Sequence, residues 1–137
     1  MIEVAATRSE LREKIMTILY QIEIYKQSHI DYNIDDIIKE NVEIDNEFVK
    51  EIVYGVNTYF DELSKKANDY LENWKIERLD KTGASILRIA LYELEYTDTP
   101  KVVVINEAVE LSKKYSDNSV HKMINAVLDR IMKEEEK

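Results

Sequence analysis

Only two glycines, Gly55 and Gly83, and one proline, Pro100, punctuate a chain of 137 residues. Globular proteins average roughly 7% glycine and 5% proline, so the residues that build tight turns are scarce here. Sheets need turns between strands, and phosphate-cradling loops need glycine clusters. This sequence supplies neither, so an all-α fold is expected. Hydrophobic residues make up 45% of the chain, enough for a packed core, and the length fits a single domain over residues 1–137. The absence of cysteine excludes a disulfide framework, a thiolate zinc site and a cysteine nucleophile. No apolar run approaches the ~20 residues that span a bilayer. The opening residues lack the basic, apolar, small-residue order of a signal peptide. The expectation is a soluble cytoplasmic domain with no membrane role.

Apolar spacing places the helices. Thr7 and Glu10 have the spacing of a capping box, and Leu11, Ile15, Ile18, Leu19 and Ile22 follow as one stripe. Residues 27–33 break the pattern. A short helix carrying Ile34, Ile37 and Ile38 is expected to end near Asn41, with Asp45 as the next N-cap. Phe48, Val49, Ile52, Val53, Val56, Tyr59, Phe60, Leu63 and Ala67 then predict one long helix to about Leu71. Residues 74–79 read as a connection with at most a helical turn. A further helix around Ile86–Leu94 is stopped before Pro100, because the residue preceding proline is biased away from the helical region. Val102 to Ile105 has strand propensity but no second β run to pair with, so residues 101–115 are read as helical. Asp117, Asn118 and Ser119 supply a break and a cap for a last helix through Val120, Ile124, Val127 and Ile131. Residues 134–137 read as a frayed charged tail. Gly55, inside the long helix, is expected to mark a close helix crossing, since glycine there costs about 1 kcal/mol relative to alanine.

The formal charge of −9 is local. Residues 31–51 carry eight acids against Lys39 and Lys50, whereas residues 1–30 are balanced and residues 101–123 carry a slight positive excess. The acidic stretch reads as a solvated face, or as one that meets a basic protein partner. The chemistry of catalysis is missing. His29 and His121 are the only histidines, neither has a metal-ligand spacing, and Glu107 with Glu110 is an isolated pair. No enzyme activity, cofactor or metal is expected.

One long string is distinctive. Ile86-Leu87-Arg88-Ile89-Ala90-Leu91-Tyr92-Glu93-Leu94 is followed, across Pro100, by Val104-Ile105-Asn106-Glu107-Ala108-Val109-Glu110-Leu111. Ser119-Val120-His121-Lys122-Met123-Ile124-Asn125-Ala126-Val127-Leu128-Asp129 completes it. In order and spacing this resembles the C-terminal half of the NusB family of transcription antitermination factors. Ile18-Leu19-Tyr20-Gln21 resembles that family's first helix, and Phe48 through Gly55-Val56, with Trp74, its middle. The resemblance implies six or seven helices in two packed small bundles. It also implies a non-catalytic function: with a small-subunit ribosomal protein, NusE, to bind single-stranded boxA-type RNA and help the RNA polymerase antitermination complex resist termination.

Carried over by position, the resemblance implies RNA-binding roles for Arg8, Arg12, Tyr20, Lys122 and Met123. Arg8 and Arg12 are four residues apart and so share a helical face. The chain departs from the family pattern where Ser9 and Glu10 replace further arginines, and where Met123 replaces an aromatic; methionine offers polarizable contact without a π-face. Without the resemblance, Met123 reads as core, and Asn106 and Asn125 as helix-end or buried hydrogen-bonding groups. Two alternatives stand beside the antitermination reading. One is a stand-alone relative of the RNA-targeting domain of ribosomal RNA cytosine methyltransferases. The other is a helical protein–protein adaptor without RNA binding. On the antitermination reading, charge alone would hold RNA weakly, and a basic partner would supply part of the attraction.

Overall fold

The structure, a computed structural model, describes residues 6–134. Among the described residues there are seven α-helices, one 3-10 turn and no strand. The helices are α1 (Arg8–Gln27), α2 (Ile34–Asn41), α3 (Glu47–Thr58), α4 (Phe60–Tyr70), α5 (Lys81–Tyr96), α6 (Lys101–Tyr115) and α7 (Asn118–Glu134), with the 3-10 turn at Ile76–Arg78. No helix among these residues is long and apolar enough to cross a membrane. The charged tail beyond Glu134 lies outside the described residues.

Short polar side chains start most of the helices by accepting backbone N–H groups that the first turn leaves open. Thr7 and Glu10 form the reciprocal capping box. Asn33 accepts from Asp36 N–H, Asp80 from Gly83 N–H and Asp117 from Val120 N–H. The cap of α3 is Asn46 rather than Asp45, whose carboxylate instead pairs with Lys50 at 2.5 Å. The valine-rich run after Pro100 is helical.

The long helix expected from residue 48 to 71 is two helices that meet at Tyr59. This residue leaves the helical region at φ −99°, ψ 22°. Apolar periodicity runs through the joint because Tyr59 N–H still donates to Gly55 O, and Leu63 N–H to Tyr59 O. Two weak helix formers, Asn57 and Thr58, precede the bend, and the Tyr59 ring stacks on Tyr96 of α5 with centroids 4.5 Å apart.

The core forms around α5. Every residue from Gly83 to Glu93 is buried, and α1, α3, α4, α6 and α7 all pack against this helix. Ile86, Leu87 and Leu91 meet Ile15, Ile18, Ile52, Leu63, Ile124 and Leu128 in one apolar cluster. The helices α1, α2 and α3 also pack on one another, as do α6 and α7. Gly55 marks the crossing of α3 over α5, for a Cβ there would overlap the hydroxyl end of the Tyr92 side chain.

Candidate nucleic-acid interface

The first turn of α1 is fixed by its capping box, and this sets where Arg8 and Arg12 point. Both guanidinium groups lie over the ring of Phe48 from α3, with Cζ at 4.5 Å and 5.2 Å from its centroid. The four-residue spacing does bring them onto one face, yet their environments differ. Arg8 is exposed. Arg12 is only 2% exposed; its Nε donates to Glu93 Oε2 at 2.9 Å and its Nη2 to Oε1 at 2.7 Å. Burial opposes the charge of Arg12, but the Glu93 hydrogen bonds and charge outweigh it and hold the pKa above the ordinary arginine value. Arg12 is thus a strut between α1 and α5, and Arg8 is the cation presented to solvent. With Phe48, Glu51, Tyr96, Pro100 and Val103, Arg8 lines an open groove of about 580 Å³.

Ser9 and Glu13 face α6. Ser9 Oγ donates to Glu107 Oε1 at 2.6 Å, and Lys114 Nζ donates to Glu13 Oε1 at 2.7 Å. The Lys114 bond holds the Glu13 carboxyl below its ordinary pKa and raises that of Lys114. Tyr20, 39% exposed, continues the Ser9–Glu13 stripe and lies about a third of a turn from Arg8 around the helix.

On α7, Lys122 is exposed, whereas Met123 is half-buried against the core. Asn106 and Asn125 are both exposed. Between α6 and α7, Ser112 Oγ is 2.7 Å from His121 Nδ1 and donates to Val109 O at 2.9 Å. The helix α6 therefore joins the two parts of the site, bonded to α1 through Glu107 and Lys114 and to α7 through Ser112. Lys113 on its last turn and Lys122 on α7 are exposed cations, while Lys114 is paired with Glu13, and Glu107 and Glu110 lie along the same side of α6.

Sequence reasoning did not identify three members of this arrangement: Phe48 as the ring beneath the arginines, Glu93 as the partner of Arg12, and the Ser112–His121 pair. Glu93 carried a usable signal: with Arg88 it is a charged residue inside a mainly apolar helical run, and such a group is buried only with a partner. No cluster of three or more histidine, aspartate or glutamate residues able to hold a metal occurs among the described residues.

Comparison with known proteins gives a consistent result. The model of the NusB family matches residues 9–133. The transcription antitermination protein NusB of Macrococcus caseolyticus is 42% identical over 129 residues, covering 93% of this chain and 97% of that protein. The Staphylococcus aureus protein of the same name is also 42% identical, covering 93% and 99%. Among solved structures, T. maritima NusB superposes with a TM-score of 0.80 at 29% identity, over 96% of this chain and 94% of that one. A chain from a crystal structure of the antitermination factors NusB and NusE in complex with dsRNA superposes with a TM-score of 0.75 at 27% identity, covering 92% and 96%.

Proposed function

The chain belongs to the NusB family, and on that premise we propose that it is a non-catalytic, cytoplasmic RNA-binding antitermination factor that works with NusE as a single domain over residues 1–137. The observation that carries the RNA face is the surface joined through α6, with solvent-facing Arg8 at one end and Lys122 at the other. These two cations attract the phosphate backbone. Tyr20 and the exposed part of Met123 offer apolar contact to bases, as single-strand recognition requires. Arg12 acts from behind, holding α1 against α5 so that Arg8 projects outward over Phe48.

The net charge of −9 limits what the chain can do alone. A basic ribosomal-protein partner both neutralises the acids of residues 31–51 and adds its own attraction for RNA. The ligand is single-stranded boxA-type RNA, and the bound complex acts on RNA polymerase.

The test is anisotropy of a labelled boxA-type RNA with the chain and NusE together, against the same RNA annealed to its complement. Arg8→Glu and Lys122→Glu should each weaken binding while NusE association stays at the wild-type level. Wild-type RNA affinity in the double variant would overturn the proposed face. Absence of RNA binding with NusE present would leave the adaptor reading.

A further inference from the structure

The Ser112–His121 pair fixes more than the contact between two helices. Ser112 is fully buried, and its hydroxyl has one proton to give. That proton goes to Val109 O, which can only accept. With the hydroxyl proton assigned to Val109 O, the bond at 2.7 Å between Ser112 Oγ and His121 Nδ1 is donated by the ring. In the neutral imidazole, a proton on Nδ1 leaves Nε2 as a bare acceptor. The ring is half-buried at the α6–α7 junction, which leaves part of it open to solvent.

The surroundings point to a ligand rich in hydroxyl groups and phosphates. Asn118, His121 and Asn125 recur at helical spacing on α7, and Lys122 stands beside them. All of these except the half-buried ring are exposed. A lysine is a point charge for phosphate, whereas a fixed acceptor one residue away takes a proton from a neighbouring donor. In a nucleic-acid strand the donor closest to every phosphate is the ribose 2′-hydroxyl, the group that separates RNA from DNA.

We propose that His121, held in one tautomer by Ser112, accepts a hydrogen bond from a ribose 2′-hydroxyl through Nε2 and so gives this surface its preference for RNA over DNA. The inference rests on the assignment of α7 to the RNA face. It makes His121 a specificity residue and Ser112 the residue that positions it.

The first measurement uses the full chain without RNA. Nitrogen-15 NMR of the His121 ring should show a protonated Nδ1 and a pyridine-like Nε2; the opposite tautomer overturns the proposal. The second compares one boxA-type sequence as single-stranded RNA and as single-stranded DNA, in the presence of NusE. His121→Asn places an amide N–H where Nδ1 donates, so the Ser112 bond survives while the outward acceptor is lost. This variant should lose about five- to tenfold of the RNA-over-DNA preference, the range of one hydrogen bond. His121→Gln, which returns an acceptor near the Nε2 position, should keep most of it. Lys122→Ala should weaken RNA and DNA equally. A wild-type ratio in His121→Asn overturns the 2′-hydroxyl contact, even where Lys122→Ala confirms that α7 meets the strand. Equal RNA affinity in the wild type and Lys122→Ala overturns the face and this contact together.

Discussion

Arg12 and Glu93 meet through two hydrogen bonds of 2.9 and 2.7 Å, with side chains 3% and 1% exposed, and join α1 to α5 across 81 positions of sequence. Removing one partner strands the other charge in the core. Arg12→Met or Glu93→Leu alone should therefore cost about 3–5 kcal/mol. The double variant Arg12→Met, Glu93→Leu should recover most of that loss, because an apolar pair of similar volume needs no compensation. Urea midpoints of the four proteins decide the matter, and additive losses would show that the two residues act independently.

Gly55→Ala tests the α3–α5 crossing. Helix propensity alone would make alanine the better residue by about 1 kcal/mol. The crossing reverses the sign, since the added methyl would overlap the hydroxyl end of the Tyr92 side chain, and overpacking costs typically about 1–3 kcal/mol. Differential scanning calorimetry should show a lower Tm. A second substitution, Tyr92→Leu, should remove part of the penalty.

RNA affinity should depend on salt through few contacts. Each phosphate neutralised on a single strand contributes about 0.7 to the slope of log affinity against log salt. Arg8→Ala and Lys122→Ala, measured with NusE over a range of salt, should each reduce the magnitude of the slope by about that amount. An unchanged slope in either variant would mean that its side chain does not meet a phosphate.

Tyr96 gives a prediction at alkaline pH. Its hydroxyl donates to Glu62 Oε2 at 2.8 Å. That bond, with smaller contributions from desolvation and nearby carboxylates, pushes the phenol from 10.0 up to about 12. Because the folded pKa lies above the unfolded one, the stabilisation is intact below pH 10 and is lost as the pH rises toward 12. Tyr96→Phe should abolish this part of the alkaline stability loss, and tyrosinate absorbance should lose one phenol that titrates at about pH 12. A titration curve unchanged in its late phase would place that phenol elsewhere.

Much of the fold is legible because helix formation is local. Thr7 with Glu10, and Asp117 with Val120 N–H, each cap within three residues, and apolar spacing marks the buried faces without reference to anything distant. The bend at Tyr59 escapes such reading, since its ring stacks on Tyr96 from another helix and the apolar period passes through it undisturbed. The same holds for the candidate site. Four-residue spacing puts Arg8 and Arg12 on one face, and the fold brings Phe48 beneath both. It carries no information on which of the two meets an acid brought from residue 93. The resemblance to NusB supplied the positions, and tertiary packing separated the exposed cation from the strut.

The enclosure of α5 has a consequence for how the protein is made. A helix in contact with α1, α3, α4, α6 and α7 leaves each of those interfaces unfinished until its own residues are made. On the ribosome, α1 to α3 emerge before the residues of α5 exist as a helix. Through that interval Arg12 has no Glu93, and its guanidinium stays in water. The strut between Arg12 and Glu93 is therefore completed late, when α5 arrives and meets the first helix. Synthesis must pass residue 93 before the Arg12 guanidinium can meet its carboxylate.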